Sequence, residues 1–328
     1  MKLAEAGENY LLKRLRKRFG KKSPGLILGI GDDAAVIAPS CSNILVTTDM
    51  MTEGVHFDMQ WTTPFQLGFK LVSVNVSDIY AMGGKPRFLL LNFSANKDFQ
   101  LKQFDSLFDG IKKASTLYSI SLIGGDISSS EKIILSATVI GCTSEKILRR
   151  NGARPGDLIY VTGNLGDSAC GLELLKKMRV PIPDKGKASG FRQLLLKNTL
   201  SLLRHHVMPI AVKPDRFIRH ATAMMDISDG LIMDLSRICS DSRVGATIFT
   251  ERLPLSNELI RASEYLKKDP VDLALGGGED YELLFTSASK RISGAYCVGE
   301  ITRSGMRVIQ KDGKQKKIAN QGYQHFAF

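Results

Sequence analysis

The chain has 328 residues, 43% of them hydrophobic and 24% charged. That is room for two domains, and no apolar stretch approaches the roughly 20 residues needed to span a bilayer. The formal net charge of +12 sits at the ends, where residues 1–22 carry eight Lys and Arg against Glu5 and Glu8 and residues 301–328 carry six against Asp312. A near-neutral middle without a recognisable nucleic-acid module argues against RNA or DNA as a main ligand.

In chain order, residues 3–20 predict an amphipathic helix whose apolar side carries Leu12, Leu15 and Phe19 and whose run Lys13 to Arg18 forms a solvated face. Short strands follow at 26–30, 34–38 and 44–48. Thr63-Pro64 opens a helix carrying Leu67, Leu71, Val74 and Ile79. A strand at 87–94, a helix over about 98–118, and strands at 120–123 and 132–142 on either side of a Gly124-Gly125-Asp126 turn complete the first half. A break near Arg149 to Gly152 and the turn Arg154-Pro155-Gly156-Asp157 divide the chain into domains at 1–148 and 149–328. The second half predicts a strand at 158–162, a helix over 167–178, a surface loop at 180–190, and helices near 190–206 and 215–223. Beyond these come a helix at about 230–239, strand 246–249, a helix near 256–267, strand 282–286, and strands 295–300 and 306–310. Mixed strands and helices make this an α/β (α+β) chain.

Against that framework stand five aspartate corners: Gly31-Asp32-Asp33, Thr47-Thr48-Asp49, Ser77-Asp78, Gly124-Gly125-Asp126 and Asp226-Ile227-Ser228-Asp229-Gly230. Any one of them is ordinary turn chemistry. Five at the ends of apolar segments suit a Mg-nucleotide site, because Mg²⁺ takes a few carboxylates plus substrate phosphates, and Gly-rich turns expose N–H groups to phosphate. Walker, protein-kinase, Rossmann and G-x-S-x-G signatures are all absent. His205-His206 has no carboxylate at metal spacing and reads as structural. Cys41, Cys142, Cys170, Cys239 and Cys297 match neither a disulfide framework nor a zinc site, and the N-terminus lacks a signal peptide's apolar core, so a cytoplasmic location is expected.

Together these segments resemble the thiamine-monophosphate kinase family of the aminoimidazole ribonucleotide synthetase-like superfamily. The resemblance runs through Gly29 to Ala35, Thr47 to Met50, the Glu53-Gly54-Val55-His56-Phe57 loop, Val76 to Gly84, Gly124-Gly125-Asp126, Arg154 to Asp157, Asp226 to Leu231 and Gly277 to Leu283. It implies a two-domain fold of mixed sheets flanked by helices, with an N-terminal ATP/Mg-binding and dimerisation domain and a C-terminal domain completing the site. It implies Mg²⁺-assisted, in-line transfer of the ATP γ-phosphoryl group to thiamine monophosphate, without a covalent nucleophile. A homodimer joined through the N-terminal domains is implied as well, with neither nucleic acid nor membrane as partner.

Position by position, the resemblance assigns the metal ions to Asp32, Thr47, Thr48, Asp49, Asp78, Asp126, Asp226 and Asp229. It assigns ATP to Tyr118, Gly125, Asp126, Arg150 and Ser228, and the thiamine phosphate to His56, Glu279 and Tyr323; Asp33 either ligates or orients. Ile127-Ser128 follows Gly-Gly-Asp where the family commonly has Thr, which leaves a hydroxyl contact there open. The rivals are a sister ATP-using enzyme with another acceptor and a non-catalytic nucleotide-binding or RNA-binding protein.

Overall fold

A computed structural model of the chain describes residues 1–30, 34–38, 41–184, 192–316 and 322. It divides into two units, one formed by Met1–Ile79, Gly84–Glu145 and Val180–Asp184, the other by Tyr80–Gly83, Lys146–Arg179 and Lys185–Phe328.

In the first unit the N-terminal segment folds as α1 (Leu3–Ala6) and α2 (Glu8–Phe19), separated by Gly7 at φ +73°. Leu11 and Leu15 are buried, and Phe19 packs edge-on against Phe108 with centroids 6.0 Å apart. The basic face is less solvated than its composition implies. Arg14 donates to both carboxylate oxygens of Asp105 at 2.5 and 2.6 Å, and Arg18 pairs with Asp109. After the short pair β1 (Leu26–Leu28) and β2 (Val36–Ile37) come β3 (Asn43–Thr52), α3 (Pro64–Ala81), β4 (Lys85–Ala95), α4 (Leu101–Tyr118), β5 (Ser121–Ser129) and β6 (Ile134–Thr143). The four-stranded sheet runs β3-β6-β4-β5; only β4 and β5, joined through α4, are parallel. Phe93 of β4 meets Phe104 of α4 with centroids 5.5 Å apart, in a core with Leu107, Phe108 and Ile111.

Two expectations are corrected here. Gly124 to Asp126 is not a turn, because β5 continues through it, with a bulge at Ile123 where the register against β4 shifts. Gly125 adopts φ +145°, and a Cβ there would stand 1.8 Å from the Leu91 carbonyl oxygen, so glycine alone lets β5 lie this close along β4. Cys41 and Cys142 are joined by a disulfide, since the antiparallel register sets Ile44 opposite Cys142 and brings Cys41 alongside. No spacing rule could show a pair 101 residues apart.

The second unit carries β7 (Leu158–Val161), α5 (Asp167–Met178), α6 (Arg192–Val207), β8 (Ala223–Asp226), α7 (Leu231–Ser242), β9 (Gly245–Phe249), α8 (Asn257–Leu266), α9 (Pro270–Gly276), β10 (Leu283–Ser287), β11 (Tyr296–Thr302) and β12 (Met306–Ile309). Its sheet order is β12-β9-β11-β7-β10-β8. Pleating sends alternate residues to opposite faces. Ile159, Val161, Met225 and Leu284 enter one core, and Tyr160, Met224, Leu283 and Phe285 enter another. Both faces are therefore covered, which explains the nearly uninterrupted apolar strands. The helix expected at 215–223 is absent. The Phe217 and Ile218 N–H groups close on the Pro214 carbonyl as turns, and Ala223–Asp226 is a wholly buried strand paired to β10. Helix α9, begun by Asp269 as cap and Pro270 at its first position, was not foreseen. No described helix is long and apolar enough to cross a membrane.

Candidate functional site

In the first unit β3 reaches Thr52, and its pleat decides which of Thr47, Thr48 and Asp49 act together. Thr47 and Asp49 share one face with the end of α3. The Thr47 hydroxyl donates to Asp78 Oδ2 at 2.5 Å, and the Asp49 N–H donates to Asn75 Oδ1 at 3.1 Å. Asn75, fully buried, is fixed in turn by donating to the Leu71 carbonyl at 2.9 Å. Burial and the neighbouring Asp78 charge push the Asp49 carboxyl up to about 6. A partly buried carboxylate raised by a second carboxylate is the donor set that a hard divalent cation relieves, so these residues fit Mg²⁺. Thr48 points to the opposite face, where its hydroxyl donates to the Ala137 carbonyl at 3.0 Å and accepts from Thr138.

The remaining first-unit positions are dispersed. Asp126 is exposed on β5, at the far edge of the sheet from β3. The side chain of Tyr118 is buried, with its hydroxyl donating to Ser73 at 3.0 Å, and ties α4 to α3. His56 Nδ1 accepts the Thr52 N–H at 3.1 Å, which makes Nδ1 the unprotonated nitrogen. Asp32, Asp33 and Tyr323 lie outside the described residues. Among the described residues no three His, Cys, Asp or Glu side chains gather closely enough to hold an ion.

The second unit gathers its expected residues more tightly. Asp226 ends β8 opposite Leu283, and the backbone continues this pairing beyond the strand. The Ile227 N–H donates to the Glu282 carbonyl, the Tyr281 N–H to the Ile227 carbonyl and the Glu279 N–H to the Ser228 carbonyl, at 2.8 to 2.9 Å. Asp226, Ser228, Asp229 and Glu279 thus share one loop pair. Its organiser is Asp234 in the first turn of α7, fully buried, whose Oδ2 accepts the N–H groups of Ser228, Asp229 and Gly230 at 3.0 to 3.1 Å. Arg237 pairs with both Asp234 and Asp229. Burial holds Asp234 up at about 6 although the backbone donors and Arg237 pull it down. Asp234 and Arg237 escaped sequence reasoning; the available signal was an acid in the first turn of a helix just after the Asp226–Gly230 corner. Arg150 is exposed, and its carbonyl accepts the Ser242 hydroxyl.

Behind Glu279 lies a buried acidic network. Asp280 accepts N–H groups of Gly166 and Ser168 at 2.7 and 3.1 Å, yet burial, together with the charges of Asp167 and Glu279, lifts it to about 8. Burial likewise lifts Glu282 to about 7, opposed by the Thr162 hydroxyl that donates to it at 2.5 Å. His205 Nε2 lies 3.0 Å from the Asp280 carbonyl oxygen, and His206 Nδ1 lies 3.1 Å from Glu279 Oε2.

The descriptions that match this chain are AIR synthase related protein, N-terminal domain, over residues 31–143, and AIR synthase related protein, C-terminal domain, over residues 154–308. Thiamine-monophosphate kinase of Aquifex aeolicus (strain VF5) is 38% identical, covering 99% of this chain and 100% of that protein. Among solved structures, AaThiL complexed with AMPPCP and TMP superposes with a TM-score of 0.76 at 36% identity, over 99% of each chain. Thiamine-monophosphate kinase from Stenotrophomonas maltophilia K279a superposes with a TM-score of 0.79 at 32% identity, over 93% of this chain and 96% of that one.

Proposed function

The chain belongs to the thiamine-monophosphate kinases, built from paired AIR synthase related domains, and from that membership we propose that it transfers the γ-phosphoryl group of ATP to thiamine monophosphate, giving thiamine diphosphate and ADP. The observation that carries the reading is the full-length likeness, at 36% identity, to a structure complexed with AMPPCP and TMP. The acceptor is already a phosphate anion, so the reaction asks for no strong base. Its obstacle is the repulsion between two polyanions brought into line.

Asp49 and Asp78, with Thr47 orienting Asp78, would hold Mg²⁺ in the first unit, and Asp226 and Asp229 would do so in the second; Asp32 and Asp126 complete the proposed set, and Thr48, whose hydroxyl lies on the other face of β3, is not part of it. Bound Mg²⁺ offsets phosphate charge and fixes the in-line geometry. Gly125, Asp126, Arg150 and Ser228 would contact ATP, the Arg150 fork suiting a phosphate. His56, Glu279 and Tyr323 would receive the thiamine phosphate, Glu279 offering a carboxylate to its cationic ring. A homodimer through the first unit is supported by the outer face of β3, where Ile44, Val46 and Met50 are 50%, 65% and 58% exposed.

The test is a coupled ATP-to-ADP assay with Mg²⁺ and thiamine monophosphate, free thiamine or no acceptor. Turnover with the monophosphate alone, and thiamine diphosphate as product, is the expected result. ATP binding without turnover on any thiamine compound would move the chain to a sister activity or to silent binding.

A further inference from the structure

Two consecutive histidines at the end of α6 grip two consecutive residues of the segment that carries Glu279. His205 takes the backbone carbonyl of Asp280, and His206 takes the side chain of Glu279. These contacts are far apart in sequence and specific in geometry. Helix α6 reaches them because it lies against α5 at Gly171, where a Cβ would stand 2.2 Å from the Leu202 carbonyl oxygen. The side chain of His206 is 6% exposed, and Ser168, fully buried in the first turn of α5, has its Oγ 3.1 Å from the same Nδ1. The Glu279 side chain keeps 28% of its surface while its Oε2 lies against His206. Its backbone sits at φ +65°, a conformation that side-chain-bearing residues adopt only when their surroundings enforce it.

We propose that His206, backed by Ser168, is a positioning residue that orients the Glu279 carboxylate for the cationic ring of the acceptor. The proposal rests on the reading above, in which Glu279 meets that ring. The Glu279 carboxyl group stands at the end of three rotatable bonds, and each contact made on it narrows the rotamers open to it. The buried imidazole, with Nδ1 3.1 Å from both Glu279 Oε2 and Ser168 Oγ, offers one N–H shared between those two oxygens and favours one rotamer, so the substrate meets a charge already in place. ATP does not depend on that orientation, so the effect falls on the acceptor side of the reaction.

Two substitutions of His206 separate positioning from packing. His206→Asn keeps an amide nitrogen where Nδ1 stands, whereas His206→Gln carries it out to where Nε2 stands. Steady-state kinetics on both, on Glu279→Gln and on the Glu279→Gln/His206→Gln pair, are expected to give the following pattern. Glu279→Gln raises the acceptor KM about tenfold with the ATP KM unchanged. His206→Gln raises the acceptor KM several-fold, His206→Asn restores most of it, and His206→Gln adds little once Glu279 is already changed. Equal effects of Asn and Gln, equal rises in the acceptor and ATP KM, or the same factor for His206→Gln in both backgrounds would each reduce His206 to a packing residue and overturn the proposal. An unchanged acceptor KM in Glu279→Gln would instead remove Glu279 from the acceptor site, and the positioning role with it.

Discussion

The two units use aspartate in opposite ways. In the first, Asp49 is acted on by burial and by a second carboxylate, both of which push its pKa upward. In the second, Asp234 and Asp280 receive backbone N–H groups, three for one and two for the other, and Asp234 also receives Arg237. On the proposed reading, carboxylates of the first kind are completed by a cation. Those of the second kind are already completed by the protein, and they shape the loops that present Asp229 and Glu279. On the proposed reading Asp49 and Asp78 serve the chemistry while Asp234 and Asp280 shape loops, so an aspartate's partners rather than its type decide its role.

The largest effect should come from the first unit. Asp49→Asn is expected to lower kcat/KM at least about 100-fold, since even residues that merely orient a metal ligand cost 10- to 100-fold when lost. Its melting temperature should hold or rise, because the substitution removes one of two like charges. Chelation of Mg²⁺ should abolish turnover in the wild type without unfolding it. An Asp49→Asn protein that unfolds while a folded fraction keeps full activity would break the contrast.

Asp234→Ala should do the reverse. It strands three loop N–H groups and leaves Arg237 with Asp229 as its remaining acidic partner here, at a cost of about 3 kcal/mol, or on the order of 5–10 °C in melting temperature. Activity should fall with the folded fraction and with loop order together. Thermal melts beside kinetics at 10 °C below the new midpoint would check this. Lost activity at unchanged stability would make Asp234 a participant in the chemistry.

Asp280 gives a smaller, pH-dependent version of the same comparison. Its folded pKa of about 8 stands above an unfolded value of about 3.9. Between those values the folded protein keeps a proton that the unfolded chain has released, so this group's contribution to stability declines as pH rises through the window and levels off above about 8. Melting curves from pH 5 to 8 should show that decline in the wild type and a flatter profile in Asp280→Asn. Identical slopes would mean that Asp280 is ionised in the fold throughout.

Much of this arrangement was legible in the sequence, and the losses have specific causes. Helix 167–178 and the start of α3 at Pro64 follow directly from local cap and spacing signals. The stretch 215–223 misled because Phe217, Ile218 and Ala221 imitate a helical stripe, whereas long-range pairing with β10 claims the next residues as a strand. The Thr47-Thr48-Asp49 corner was visible, but not that Thr48 faces away, which requires knowing that β3 continues to Thr52. His205-His206 reads as structural, but its partners could not be named, because the segment the pair grips begins more than 70 residues later and the His205 contact spans 75. Local chemistry is written locally, and partners brought in by topology are not.

Tyr118 provides the smallest and sharpest test of that distinction. Resemblance alone assigns it to the nucleotide, whereas the structure buries its ring and gives its hydroxyl to Ser73. Tyr118→Phe keeps the ring and removes one buried hydrogen bond, leaving the Ser73 hydroxyl to find another partner. The expected cost is about 1 kcal/mol of stability, with the ATP KM unchanged. Ser73→Ala should lower stability by a similar amount, and the double variant should fall short of the sum, because both changes remove the same bond. A raised ATP KM in Tyr118→Phe at wild-type stability would take Tyr118 out of the scaffold and return it to the nucleotide, and the first unit would then spend a buried aromatic on ligand as well as its carboxylates.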